Sequence, residues 1–430
     1  MTGRKPSRWL AALAALPLLA VPVLVAGPAT ADDVSTGQWY LDAFHINDLH
    51  ASGLTGDGVT IAIMDSPINM DVPALAGSNV EVREPSQCLD DAGAPLASTS
   101  ADLDGILDAS HGTDVASVLS GTGDGYDGQT GVVGVAPGAK VLYYAVSYDG
   151  ATPEDGTQCP GPSIETALAA DINDAIDAGA DIISVSLAVN GTTELSAAIA
   201  RAHREGVVVL GGVPNTRLGQ IANWPGAANG VVAVQAIDAS GQPQQDVEGG
   251  LGLTTAFPWT TVSGPGVGIL TQGVPGGAWT DQALRNGTSL ATPAIAGFLA
   301  LVLQKYPDAT GNQLIQTLIR NTGVDDHDLV HDEALGYGIG SVTHMLENDP
   351  AQYPDENPLL TDDENLPSKA DSTGTGDPTG APTDPGAAAS DIPWVPIIVG
   401  GVIGLLVLIG LIIFIIMLAT RRSRSSAGPR

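Results

Sequence analysis

Five short stretches of the chain are apolar at nearly every position: VTIAIMD (59–65), KVLYYAVS (140–147), DIISVSL (181–187), GVVVLGG (206–212) and GVVAVQAI (230–237). A strand with one wet face alternates apolar and polar residues, so these unbroken runs predict strands covered on both faces, as in a parallel sheet. Between them, HGTDVASVLSG (111–121), SIETALAADINDAIDAGA (163–180) and TELSAAIARAHREG (193–206) space apolar residues three and four apart and run out into glycine, as amphipathic helices do. A further run, AIAGFLALVL (294–303), predicts a long apolar helix. This alternation predicts an α/β fold, a mostly parallel sheet with helices on both faces. Right-handed crossovers then place a site at the carboxyl ends of the strands.

Two apolar segments lie outside that pattern. Residues 1–31 combine a basic start (Arg4, Lys5, Arg8), an apolar stretch and the A-x-A sequence Ala29-Thr30-Ala31, which predicts a removed secretory signal peptide. Residues 391–420 contain the uncharged run Ile397 to Thr420, whose 24 residues exceed the bilayer's hydrocarbon thickness of ~30 Å when helical. A transmembrane helix is expected there. Arg421, Arg422 and Arg424 follow at once and place the tail, 421–430, in the cytoplasm. The expected protein is therefore single-pass in the cell membrane, with its bulk extracytoplasmic. Residues 347–390 are rich in Asp, Glu, Pro, Gly, Ser and Thr and read as a disordered acidic linker. What remains is a short N-terminal extension, 32–55, and a folded unit, 56–346.

Charge and cysteines narrow the chemistry. A net charge of −32 excludes nucleic acid and anionic membrane surfaces as partners, since both repel such a body. The acidic loops ADLDGILD (101–108) and TGDGYDG (122–128) read as solvated, with structural calcium as the alternative; no other cofactor or metal is expected. The chain has two cysteines, Cys88 and Cys159, both in loop-like surroundings of an exported protein, which points to one disulfide. No CxxC is present, which removes redox-motif and zinc readings.

The strand-end rule draws attention to Asp65, just after the first strand, and to Asn215, just after the fourth. Taken singly, Asp65 is a turn or cap residue, His111 a surface imidazole, Ser289 a residue of a helix start, and Asn215 a turn former. Their settings say more. A carboxylate ending so apolar a strand is partly buried and requires a hydrogen-bonded partner. Ser289 opens the long apolar helix, where backbone amides favour negative charge.

MDSPI (64–68), HGTDVAS (111–117) and NGTSLATP (286–293) resemble the three catalytic segments of the subtilases, the subtilisin-like serine proteases, in the same order Asp, His, Ser. That order is the one given for subtilisin itself, so it is matched here and not predicted. GVAPGAK (134–140) and GYGIGSV (336–342) are also similar to the family. The resemblance implies Ser289 as nucleophile, His111 as general base and then acid, and Asp65 as the group that orients the imidazole. It implies Asn215, in GVVVLGGVPN, as the oxyanion-hole side chain, together with the Ser289 amide. Ser186, Leu187 and Ala188, in SVSLAVN, would pair with the backbone of an extended protein or peptide substrate. The sequence departs from the family at Pro67 and Pro214, where glycine is usual, and at Ala188, where glycine is common.

The short extension, the secretion signal and the single C-terminal anchor are similar to the mycosins, subtilases associated with type VII secretion in actinobacteria, which implies a secretion-system membrane complex as partner. Two other readings are open. One is a subtilase-fold scaffold with little or no turnover, motivated by Pro67, Pro214 and the tether. The other is an α/β-hydrolase using Ser289, Asp326 and His331, disfavoured because GTSLA lacks the second glycine of G-x-S-x-G and no strand is expected closely before the serine.

Overall fold

The computed structural model describes residues 34–90, 92–148, 161–216, 222–245, 255–325, 327–361 and 365–375. The signal peptide, the membrane helix, the cytoplasmic tail and Cys159 lie outside the described residues. The strands β1 (Thr60–Asp65), β2 (Val80–Val82), β3 (Lys140–Ala145), β4 (Ile182–Val185), β5 (Val208–Gly212), β6 (Val232–Ile237) and β7 (Val262–Pro265) form one sheet. Its order is β2-β3-β1-β4-β5-β6-β7 and every neighbouring pair is parallel. The expected fold class and five predicted strands are present. Two more strands, β2 and β7, carry no apolar run: one is VEV at an edge, the other VSGP, whose glycine and proline hide it.

Period-two alternation sorts the strand side chains onto two faces. Ile61, Ile63, Val141 and Tyr143 join one core with α1 (Ser110–Ser120), α4 (Thr288–Lys305) and α5 (Gly311–Arg320). Ala62, Met64, Leu142 and Ile183 face α2 (Ile164–Asp177) and α3 (Thr193–Arg204). The helices start where short polar side chains accept amide protons: Ser163 from Thr166, Thr192 from Leu195, and Thr310 in a reciprocal capping box with Gln313. α4 is the one described helix long and apolar enough to cross a membrane, and it is 89% buried within the domain instead. It is hydrophobic all round because it runs through the core.

The N-terminal extension is fastened to the body. Tyr40, 1% exposed, donates its hydroxyl to Val133 O at 2.6 Å, and Trp39 Nε1 donates to Val267 O at 3.0 Å. Gln38 completes two bonds across the strand Thr130–Val133, to Gly131 O and from Val133 N.

The expected linker 347–390 is corrected over its first part. Residues 347–361 and 365–375 return along the domain: Asn229 donates from N to Leu366 O at 2.9 Å and from Nδ2 to Pro367 O at 3.0 Å. Asp355 accepts from Thr310 and Asn312, and the short helix Lys369–Thr373 lies against α3. A polar segment of this kind docks largely through hydrogen bonds, with Leu359 as an apolar contact to the core, so its composition alone concealed it. The rest of the linker lies outside the described residues.

Candidate active site

Side-chain alternation along β1 sends Asp65 to the same face as Ile61 and Ile63, which is the face covered by α1. There Asp65 is fully buried and its Oδ1 lies 2.6 Å from His111 Nδ1 and 2.7 Å from the Ser66 amide. An ionised carboxylate only accepts, so Nδ1 carries the proton and Nε2 is left with its lone pair. That is the tautomer a general base requires.

The approach depends on Gly112. A Cβ there would lie 2.0 Å from Tyr143 Oη, 2.6 Å from Pro67 O and 2.7 Å from Ser66 O, so any side chain would push α1 off the end of β1. Hydrogen bonds close the same gap: Gly112 N donates to Ser66 Oγ at 3.0 Å, Tyr143 Oη to Ser66 O at 2.6 Å, and Asn69 N to Thr113 Oγ1 at 2.9 Å. Burial, with the nearby Asp65 charge, holds the Tyr143 phenol well above its ordinary pKa, so it stays a donor.

Ser289 is the second residue of α4 and is half-buried. Pro293 sits four residues on, where its missing N–H denies the Ser289 carbonyl an intrahelical donor. Ser186 fills that place, donating from Oγ to Ser289 O at 2.8 Å. The segment following β4 is thereby tied to the residue expected to be the nucleophile. Leu187 beside it is half-buried and Ala188 is exposed, while Val189 bridges to Trp224.

Asn215 is oriented by the first residue of α4 and by Gln244. Its Oδ1 accepts from the Thr288 backbone amide at 2.9 Å, from Thr288 Oγ1 at 3.2 Å and from Gln244 Nε2 at 3.1 Å. A backbone N–H can only donate, which assigns the oxygen to that side and turns Nδ2 away from it. A Cβ on Gly287 would be 3.0 Å from Ser289 Oγ and 3.9 Å from Asn215 Oδ1, so both side chains flank one glycine. The Ser289 amide lies in the first turn of α4, where no intrahelical acceptor exists. Pro214 leaves this arrangement intact, since Asn215 is held through its side chain.

The structure therefore gathers Asp65 and His111 by direct contact, and Ser289, Asn215 and Ser186 through a second network centred on Thr288 and Gly287. Both networks lie at the carboxyl ends of the strands, and α1 and α4 pack against each other. The alternative set does not form in this way: His331 Nε2 bonds Thr260 O at 2.7 Å, and Asp326 lies outside the described residues. The expectation that no strand closely precedes the serine is overturned by β9 (Gln282–Arg285), which pairs antiparallel with β8 (Ile269–Gln272) in a separate hairpin. QALR lacks an apolar run and so hid it. Among the described residues no three His, Cys, Asp or Glu side chains converge as a cation site, so the acidic loops carry no assigned metal.

Several residues of the site escaped sequence reasoning. Ser66, Thr288 and Gln244 act through hydrogen bonds that only the folded chain makes. Asp114 had a signal, a charged residue in an otherwise small and apolar helix start. It is 2% exposed, burial pushes its carboxyl up to about 7 against the opposing pull of Arg285, and Arg285 Nη1 is 3.2 Å from its Oδ2.

Known proteins resemble the chain over most of its folded part. The model of the Subtilase family (Peptidase_S8) matches residues 56–338. The thermostable alkaline protease of Halalkalibacterium halodurans is 30% identical over 286 residues, 66% of this chain and 67% of that protein. Fervidolysin from Fervidobacterium pennivorans, a keratinolytic enzyme related to subtilisin, superposes with a TM-score of 0.57 at 25% identity. The match covers 75% of this chain, which spans 46% of fervidolysin. MycP1 from Mycobacterium smegmatis superposes with a TM-score of 0.55 over 75% of this chain and 86% of its own, and at 22% identity that likeness concerns the fold alone.

Proposed function

The chain belongs to the subtilase family of serine endopeptidases, and from that premise we propose that it hydrolyses peptide bonds through Asp65, His111 and Ser289. The observation that carries the reading is the 2.6 Å contact between His111 Nδ1 and the buried Asp65. It makes Nε2 the ring nitrogen that takes the Ser289 hydroxyl proton as Oγ attacks the scissile carbonyl. The carbonyl π electrons move onto oxygen, and Asn215 Nδ2 and the Ser289 N–H donate hydrogen bonds to the resulting oxyanion. The imidazolium then returns its proton to the leaving amine, and an acyl-enzyme forms. Water repeats the cycle and frees the acid. Asp65 stabilises the imidazolium throughout without taking its proton.

Ser186, Leu187 and Ala188 are proposed to run beside an extended substrate, a reading supported by the tether from Ser186 to Ser289. A Cys88–Cys159 disulfide is proposed as well; the chain has only these two cysteines, and Cys88 is not free. The signal peptide 1–31 and the membrane helix 391–420 remain proposals from the sequence, and they make the enzyme an extracytoplasmic, membrane-anchored one. A link to type VII secretion is proposed on that architecture and on the shared fold of MycP1, a protein of the ESX-1 type VII secretion system. Of the motives for the scaffold reading, Pro214 weighs less, because Asn215 Oδ1 still accepts from the Thr288 amide and from Gln244.

Digestion of a peptide library by the full chain, beside Ser289→Ala, tests the activity. Cleavage by the parent and none by the variant is expected. Equal cleavage by both would remove Ser289 from the mechanism.

A further inference from the structure

Outside the residues already given roles, the described chain holds one buried ion pair against the site. Asp114 is three residues beyond His111 on α1, so the two side chains share a helix face at neighbouring positions. Arg285, at the end of β9, reaches Asp114 Oδ2 with Nη1 at 3.2 Å and donates from Nη2 to Gly273 O at 2.9 Å. Four residues after Arg285 comes Ser289. The groups facing Asp114 are Arg285 from β9, His111 on its own helix, Asp65 from β1, and the backbone of Gln272 from β8, which completes no well-formed hydrogen bond.

We propose that Asp114 and Arg285 are a charge-balancing pair of positioning residues, which sets the basicity of His111 and pins the His111 helix to the strand that delivers Ser289. The proposal rests on His111 as the general base. A carboxylate sealed from solvent cannot stay ionised without a cation, and Arg285 is the cation in reach. Seen from His111, the intact pair is close to neutral. Remove the carboxylate charge and a guanidinium alone faces the imidazole, so the imidazolium formed during acylation is destabilised. Burial still outweighs the pull of Arg285 and sets the Asp114 carboxyl at about 7, so the pair is close to neutral only above that pH.

Histidine-selective 13C NMR titration of the full chain tests this, with the His111 resonance identified by its loss in His111→Gln. Asp114→Asn should lower the His111 pKa by about half a unit or more. Adding Arg285→Gln to that variant should bring it back toward the parent value, a reversal that a merely structural role does not produce. An unchanged His111 titration in folded Asp114→Asn overturns the proposal.

Reciprocity supplies a second measurement that leaves the buried position alone. In His111→Gln the Asp114 carboxyl should titrate about half a unit higher, because an imidazolium no longer faces it; an identical Asp114 titration with and without His111 also overturns the proposal. Neither readout needs turnover. An inactive protein showing these shifts would sink the protease reading and leave the pair standing, whereas an active one without them would do the reverse.

Discussion

At position 112 the space for a methyl group is already filled by Tyr143 Oη and two carbonyl oxygens of the turn after β1. Gly112→Ala should therefore cost about 1–3 kcal/mol of stability and move His111 away from Asp65. A thermal melt checks the first effect, and the rate of labelling by a fluorophosphonate checks the second, which should fall further than the melt explains. Asn215→Ala removes one oxyanion donor and should slow acylation about 10²–10³-fold, the loss found for such a donor in subtilisin, with stability little changed. Single-turnover kinetics on an ester substrate would measure it.

Away from the site, Asp171 on α2 is 6% exposed, and burial, with nearby Asp174, raises its carboxyl to about 7 against a weak bond from Gln87. A folded-state value above the unfolded one means that the associated stability is full below about pH 4 and is lost as pH rises toward 7. Asp171→Asn should thus raise the melting temperature by a few degrees at pH 8, with the gain shrinking at pH 4. A gain independent of pH would show that the charge is not the cause. Asp65, His111, Ser289 and Asn215, the proposed catalytic groups, are singled out in the sequence by short family-like motifs. Their supports, Gln244 and Thr288 among them, are not, since a side-chain hydrogen bond across 29 or 73 residues leaves no local pattern.

Elements were legible where burial writes a pattern. The five apolar strands and the helices between them follow from periodicity alone, and Pro293 inside α4, apparently a fault in a helix, explains why Ser186 is drawn to Ser289. The edge strand β2 and the hairpin strand β9 were missed because their side chains stay partly exposed, and β8, though buried, is only four residues long with Thr271 and Gln272 breaking its apolar run. The segment 347–375 was misread for the related reason that it docks largely by polar contacts. Ending the chain after Leu346 should lower the melting temperature by several degrees relative to an end after Thr375, because the partners of Asn229, Thr310 and Gln316 go with it. A tether free of the domain would leave the two melts superimposed.

For the whole molecule, the net charge of −32 keeps the domain away from anionic surfaces, so any membrane association is expected through 391–420 and not through the folded face. The parallel sheet brings residues from distant parts of the chain to one rim, where a buried carboxylate fixes the imidazole tautomer and the start of a largely buried helix presents the serine. That convergence is the central claim. It is tested most directly by treating the full chain with a fluorophosphonate and mapping the adduct by peptide mass spectrometry. The adduct is predicted on Ser289 and should be lost in His111→Ala. An adduct on another residue, or undiminished labelling of Ser289 without His111, would contradict the account.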